Sequence, residues 1–392
     1  MSLRVERLTS PSAPLPRLRQ RIARFLPRRL DRVLLGAVLA LGVLGTLMVW
    51  SATLQPGGPP LPTGYAWRHL GHLLAALLVC VAVATVDHRL LRAYVPVLFA
   101  VATVALVLVL TPLGRVVNGS RSWIAIGEVQ VQPAEIAKIA LILSVAALLG
   151  GPRDGTRAPD RRDVLLSLGA LAVLVGLVMM QPDLGSALVL GAVYLAMLAL
   201  SGASPRWVLA LIGCGVLGVL AVWWLGLLKD YQMARFASFL DPEADPLGAG
   251  YNVNQAIIAV GSGGLIGSGP FRGAQTGGKF VPEQHTDFIF TVAAEELGFV
   301  GGCAVVVLLG VVLLRILRIA AHCDQPYERL VCAGVAAWFC FQGFVNIGMT
   351  LGVTPVTGLP LPFVSYGGSA AVANLAAVGL VLAVHARTRR AE

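Results

Sequence analysis

Several short stretches of this chain put ionisable side chains among apolar residues, where charge is costly and usually has a use. QPAEIAK sets Glu135 and Lys138 three residues apart, on one face of a helix, about one turn from each other. Lys138 could hold an anionic ligand at a pocket lip; the two could equally neutralise each other and let a helix end enter a membrane. QPDLGSA places Asp183 between two apolar runs. At a helix start a carboxylate meets the positive end of the dipole, so a capping Asp in a tight turn is the plainer reading. PEQHTDFIFTVAAEELGF puts Asp287 at the head of another apolar run. Thr286 could cap that helix, with Asp287 in its first turn, complementing the dipole. A partly desolvated carboxylate at that position could also accept a proton as a general base. His285 is a neighbouring loop residue. Glu295 and Glu296 lie two or more turns deeper. They point about 100° apart, which suits hydrogen bonding to neighbouring helices.

Cations accompany these carboxylates. Arg121, Arg235, Arg272 and Lys279 fall in loops, and an arginine fork matches phosphate oxygens; headgroup contact is the alternative. Asp241, Glu243 and Asp245 form a DxExD cluster that could take a hard cation or be a solvated turn. GSGGLIGSG does not match a phosphate-binding GxxxxGK[ST] loop. PLPFVSYGGSA, with paired Pro and Gly, predicts a bent backbone at a membrane edge.

The elements that must position these residues follow from composition. Of 392 residues, 57% are hydrophobic and 13% charged, against roughly a quarter charged in soluble domains. That excludes a soluble globular enzyme and a disordered chain. Ten apolar segments, each near the ~20 residues of a bilayer crossing, lie at 33–53, 67–86, 90–112, 133–150, 163–181, 183–202, 206–227, 287–318, 328–351 and 365–386. The expected fold is an all-α polytopic membrane protein. Of 30 Lys+Arg, 22 fall on the side shared by both termini and seven on the other, with Lys138 inside a span. Excess base marks the cytoplasmic side, so both termini are expected in the cytoplasm.

Residues 1–32 form an Arg- and Pro-rich tail, expected to be disordered and to touch anionic lipid. It lacks the apolar core of a cleavable signal and the interleaved aromatics of a nucleic-acid binder. The membrane domain spans 33–387, and 388–392 is a second cytoplasmic tail. A long extracytoplasmic loop, about 228–286, separates the seventh and eighth spans. It is too apolar for disorder, and short helices on the outer leaflet are expected. The six cysteines avoid the outer loops, so no disulfide framework is implied.

Taken in order, NGSRSWIAIG, QPAEIAK, QPDLGSA, FLDP, GYNVNQAIIAVGSGGLIGSG, PEQHTDFIFTVAAEELGFVG and PLPFVSYGGS resemble the SEDS family (shape, elongation, division and sporulation; the RodA, FtsW and SpoVE proteins). With the spans around them they cover about residues 33–387, and their wording leans toward the RodA branch. Ala134 departs from the family's usual Ser. The resemblance implies a glycosyltransferase that polymerises lipid II, an undecaprenyl-diphosphate-linked sugar, on the outer face of the bacterial cytoplasmic membrane during cell elongation. A class B penicillin-binding protein, a transpeptidase, is the implied partner. Asp287 matches the family's essential aspartate, and Trp123, Glu135 and Lys138 match functionally important positions. The candidate set is then Asp287 as base, with Trp123, Glu135, Lys138, Arg121, Arg235 and Asp183 toward the substrate. A divalent cation, Mg2+ or Mn2+, sharing the diphosphate is left open. So are two rival functions, a lipid II flippase and a scaffold for the transpeptidase.

Overall fold

In a computed structural model, the structure describes residues 30–54, 64–117, 120–127, 129–151, 158–224 and 250–391, with Gly226 and Met233. Arg235 and the Asp241–Asp245 cluster lie outside the described residues, as does the tail before Leu30.

Long apolar runs without interior breakers become helices, because in lipid every backbone polar group must be satisfied within the segment. The helices are α1 (Arg32–Thr53), α2 (Gly64–Ala84), α3 (His88–Ala93), α4 (Val95–Leu110), α5 (Pro133–Leu149), α6 (Arg161–Met180), α7 (Leu184–Leu200), α8 (Pro205–Trp224), α9 (Tyr251–Ser262), α10 (Ala274–Gly278), α11 (Ile289–Glu296), α12 (Gly298–Ala321), α13 (Pro326–Thr350) and α14 (Gly368–Ala391). Six of them, α1, α2, α6, α12, α13 and α14, are long and apolar enough to cross a membrane. The chain is a mostly helical, multi-pass membrane protein. Its core runs through α5, α7 and α13, and Trp338, Tyr194, Lys138 and Phe339 are its largest fully buried side chains.

Two features depart from the sequence reading. The fold is not purely helical: Gly114–Val117, Ser120–Ile126 and Val129–Val131 form an antiparallel sheet, β1-β2-β3. The stretch is rich in β-branched residues and carries Trp123, a composition that favours strands. Gly127, at φ +63°, turns β2 into β3. The second departure is in the eighth segment, which is not one helix. It breaks between α11 and α12, where Gly298 takes φ +66°, left-handed backbone open mainly to glycine.

The break frees backbone groups, and the GSGGLIGSG loop satisfies them. Ser268 and Gly269 N–H donate to the Glu295 and Glu296 carbonyls at 3.1 and 3.0 Å, and Phe299 and Val300 N–H donate to Gly264 and Leu265 carbonyls at 2.9 and 3.2 Å. A Cβ at Gly267 would stand 2.1 Å from the Glu296 carbonyl oxygen, so that glycine permits the docking. The motif that failed as a phosphate loop is a backbone splint. Glu295 fastens the same loop further along. Its carboxylate accepts the Gln275 and Thr276 N–H at 2.7 and 2.9 Å and the Thr276 hydroxyl at 2.7 Å. Glu296 turns the other way and accepts the Ser51 hydroxyl of α1. All six cysteines are unpaired.

Candidate active site

Pro133 at the first position of α5 supplies no N–H where none is needed. Glu135 and Lys138 then follow in its first turns, and the i,i+3 spacing brings them together: Lys138 Nζ donates to Glu135 Oε1 at 2.7 Å. Both are buried, at 0% and 2% exposure. Two residues of α13, at least 200 positions from Lys138, complete the set. Lys138 Nζ donates to Gln342 Oε1 at 3.0 Å and lies 4.7 Å from the centre of the Trp338 ring. Trp338 Nε1 donates to the same Gln342 oxygen at 2.7 Å. The ammonium is thus enclosed by a carboxylate, an amide and a ring face, each favourable to a desolvated cation.

Asp183 is the N-cap of α7. Its carboxylate accepts the Ser186 N–H at 2.9 Å, the Ser186 hydroxyl at 2.7 Å and Gln132 Nε2 at 3.1 Å. The Gln132 bond ties the start of α5 to the start of α7. Ser120 of β2 donates to the Gln181 carbonyl at 2.6 Å, so the sheet lies over the same corner. On β2, Trp123 is half-buried opposite Arg115, and Arg121 is exposed opposite Val116.

Asp287 lies on a turn, half-buried, one residue before Phe288, the N-cap of α11. The expectation that Thr286 caps this helix is corrected. The Thr286 hydroxyl donates to the Glu283 carbonyl at 3.0 Å, and the helix starts later, at Ile289. The turn is held by its backbone. The Asp287 N–H donates to the Glu283 carbonyl at 3.1 Å, and the Asp287 carbonyl accepts Asn346 Nδ2 at 2.7 Å.

Gln342 and Asn346 sit four residues apart on α13, hence on one face. Gln342 Nε2 donates to the Pro360 carbonyl at 2.7 Å, and Asn346 Nδ2 to the Leu359 carbonyl at 2.6 Å. These two amides pin the non-helical segment between α13 and α14 and link Lys138 to Asp287 through it. Non-helical backbone at membrane depth must be buried in protein, and Leu359, Leu361, Phe363 and Val364 are all buried. The segment passes between the two aspartates. A Cβ at Gly185 would stand 2.9 Å from the Thr357 carbonyl oxygen, and one at Gly358 would stand 3.4 Å from Asp287 Oδ2.

Gln342, Asn346 and Trp338 were not read from the sequence. An amide within an apolar helix was the available signal, since buried polar groups require partners. Among the described residues no three His, Cys, Asp or Glu side chains gather as a metal site.

The model of the cell cycle protein family, which groups FtsW, RodA and SpoVE, matches residues 31–390. The peptidoglycan glycosyltransferase MrdB of Escherichia coli (strain K12) is 40% identical over 359 residues, covering 91% of this chain and 93% of that protein. A probable peptidoglycan glycosyltransferase FtsW of Shewanella sediminis is 37% identical over 364 residues, covering 91% and 87%. Among solved structures, a chain from a peptidoglycan synthase complex that coordinates polymerization and crosslinking aligns with TM-score 0.75 and 35% identity, covering 91% of this chain and 98% of that one. The rod shape determining protein RodA of Thermus thermophilus aligns with TM-score 0.67 and 32% identity, covering 91% and 97%. The chain belongs to the FtsW, RodA and SpoVE family of cell cycle proteins, the SEDS family.

Proposed function

We propose that this chain is a peptidoglycan glycosyltransferase of cell elongation that polymerises lipid II into glycan strands. The observation that carries this reading is the 40% identity to a protein of that name over nearly the full length of both chains. The ten apolar segments and their base asymmetry support a ten-span topology with both termini in the cytoplasm and the 228–286 loop outside. Asp287 then faces the outer side of the cytoplasmic membrane, and 33–387 is the membrane domain between two cytoplasmic tails. A class B penicillin-binding protein is the proposed partner, supplying crosslinking beside polymerisation.

The chemistry is a single displacement. The sugar 4-hydroxyl of an incoming lipid II attacks the anomeric carbon of the growing strand. The new C–O bond forms as the bond to the lipid diphosphate breaks, and the departing oxygen keeps the electron pair. The configuration inverts, and the hydroxyl proton passes to Asp287. A positioned base of this kind contributes roughly 10²–10⁴-fold. Asp287 suits the role because a backbone-anchored turn fixes its place while its side chain stays at a half-buried surface.

The departing diphosphate needs cations. Arg121, exposed on β2, and Arg235 on the outer loop provide the first contact. Lys138, closed in with Glu135 and Gln342, adds positive potential from beneath and joins directly when that set opens. Trp123 offers a ring face to sugar or lipid, and Asp183 shapes the floor. No step runs through a metal.

The test is glycan-strand formation from lipid II by the purified chain with its partner, read on a gel. Wild-type polymerisation with no product from Asp287→Asn is expected. Normal product from Asp287→Asn would sink the base assignment, and lipid II translocation without polymer would favour a flippase.

A further inference from the structure

Beside the Asp287 turn stands a cluster of rings that the reaction above leaves unused. Tyr366, just before α14, is surrounded by Tyr65, His285, His72 and His69, with ring centroids 5.4, 5.6, 5.9 and 6.0 Å away. Tyr65 and His285 also meet edge to face at 5.2 Å. The cluster is tied to the base. His285 is two residues from Asp287, and its carbonyl accepts the Tyr366 N–H at 3.0 Å.

Its floor is polar and incomplete. His69 has 0% exposure, yet neither ring nitrogen has a partner. Nδ1 of His72 and the hydroxyl of Ser369 are also buried without partners. A Cβ at Gly368, beside Ser369, would stand 3.1 Å from the His72 ring, which places that glycine against the same wall. Leaving one such group unpaired costs about 1–3 kcal/mol. Four of these atoms fall on His69, His72 and Ser369 and leave donors and acceptors without partners beside the rings. At the cluster's outer edge Tyr65 is 47% exposed.

The chemistry of the set selects the ligand. A neutral imidazole donates from one nitrogen and accepts at the other, and a hydroxyl does both. That suits hydroxyls and amides, whereas a diphosphate calls for donors alone. Burial holds His285 below its ordinary basicity, against the pull of Glu283, which favours the neutral ring. The ring faces add flat apolar surface with a polar edge, matched by the C–H face of a pyranose. Two residues from Asp287, such a cluster would hold the sugar whose hydroxyl is to be deprotonated.

We propose that Tyr65, His69, His72, His285 and Tyr366 form a binding site for a neutral N-acetylated sugar ring and present its hydroxyl to Asp287. The identity of the sugar rests on the glycosyltransferase reading; the binding itself does not.

The probe is di-N-acetylchitobiose, a lipid-free N-acetylated disaccharide. Saturation-transfer NMR would follow its acetyl methyl signal against the purified full chain in detergent. Saturable binding is expected for wild type. Affinity should fall about tenfold in His69→Leu and Tyr366→Leu, the equivalent of one or two lost hydrogen bonds. Tyr366→Phe keeps the ring and the packing. It should melt as wild type and lose affinity by a smaller factor, so a folding defect cannot mimic the result. Absence of saturable wild-type binding, or equal binding by all the variants, would overturn the site. The two readings fail separately. Active Asp287→Asn that still binds sugar removes the base and leaves the site standing. Inactive Asp287→Asn, with His69→Leu and Tyr366→Phe both binding as wild type, does the reverse.

Discussion

Asp183 and Asp287 both precede an apolar helix, and both flank the same buried segment, yet the fold uses them in opposite ways. Asp183 spends its carboxylate on structure, accepting three hydrogen bonds from Ser186 and Gln132. Asp287 stands outside the helix cap, and its backbone is anchored by Glu283 and Asn346. A carboxylate that holds a cap and a cross-helix amide is part of the scaffold. A residue positioned through its main chain can use its side chain without loosening the fold. Residue type and local sequence look alike at the two sites; the third-dimension neighbours make one a cap and suit the other to the proposed role of base.

The largest expected effect separates them. Asp287→Asn should lower lipid II polymerisation by about 10²–10⁴-fold with little change in thermal unfolding. Asp183→Ala should cost about 0.5–2 kcal/mol as a lost cap, seen as a lower melting temperature, while polymerisation measured well below that temperature persists. An Asp183→Ala protein that melts as wild type but makes no glycan would break the comparison and move Asp183 into the chemistry.

The buried pair gives the next largest effect. Lys138→Met leaves Glu135 charged and enclosed, at an expected cost of about 3–5 kcal/mol. Replacing both, Glu135→Leu with Lys138→Met, should recover most of that stability. Chemical denaturation in detergent reads the first quantity, and glycan formation by the stable double variant reads the second. If the pair is purely structural, the double variant polymerises; the diphosphate role expects it to be stable and inactive.

What could be read from the sequence follows a physical line. The Glu135–Lys138 contact was legible because a three-residue spacing fixes helical neighbours whatever the rest of the chain does. The cap at Asp183 was legible for the same local reason. The helical segments also fall close to the apolar runs. Gln342, Trp338 and Asn346 were not legible as partners, because their bonds to Lys138 and Asp287 close only when α13 packs beside α5 and the Asp287 turn. Nor was the break at Gly298, whose freed carbonyls and N–H groups are met by a loop about 30 residues earlier. Hydrogen bonding of Glu295 and Glu296 to neighbouring helices agrees with the sequence reading, but which helices was not legible: Glu295 holds that loop's short helix and Glu296 accepts from Ser51 of α1. Periodicity registers burial but not which distant element provides it.

The break can be tested on its own. Gly298→Ala forces an alanine to φ +66° and sets a Cβ 2.3 Å from the Gly267 nitrogen. The strained backbone alone is expected to cost about 1–3 kcal/mol, read as a fall in melting temperature. Proteolysis near residue 265 should rise with it, since the loop loses its dock. An unchanged melting temperature and cleavage pattern would mean that the splint contributes little.

A third aspartate at a helix start gives the smallest and most selective test. Asp31 caps α1 by accepting the Leu34 N–H at 2.9 Å, and its other oxygen accepts from Arg315 of α12. Burial pushes its carboxyl upward; the Arg315 guanidinium and the Leu34 N–H outweigh that and hold it below the usual 3.8. The native state therefore binds a proton less readily than the unfolded chain. The stability contributed by Asp31 is full above about pH 3.8 and is lost as pH falls through the lower native value. Asp31→Asn keeps the cap, because asparagine serves there as well as aspartate, and removes only the charge facing Arg315. Arg315 is partly exposed, so solvent screening reduces the pair to on the order of 1 kcal/mol. Wild type should melt above Asp31→Asn by a constant margin from neutral pH down to about pH 4, and the margin should close below it as the carboxyl protonates. A margin that persisted in stronger acid would place the effect in packing instead of charge. Asp31 would then join Asp183 as a residue valued for its shape.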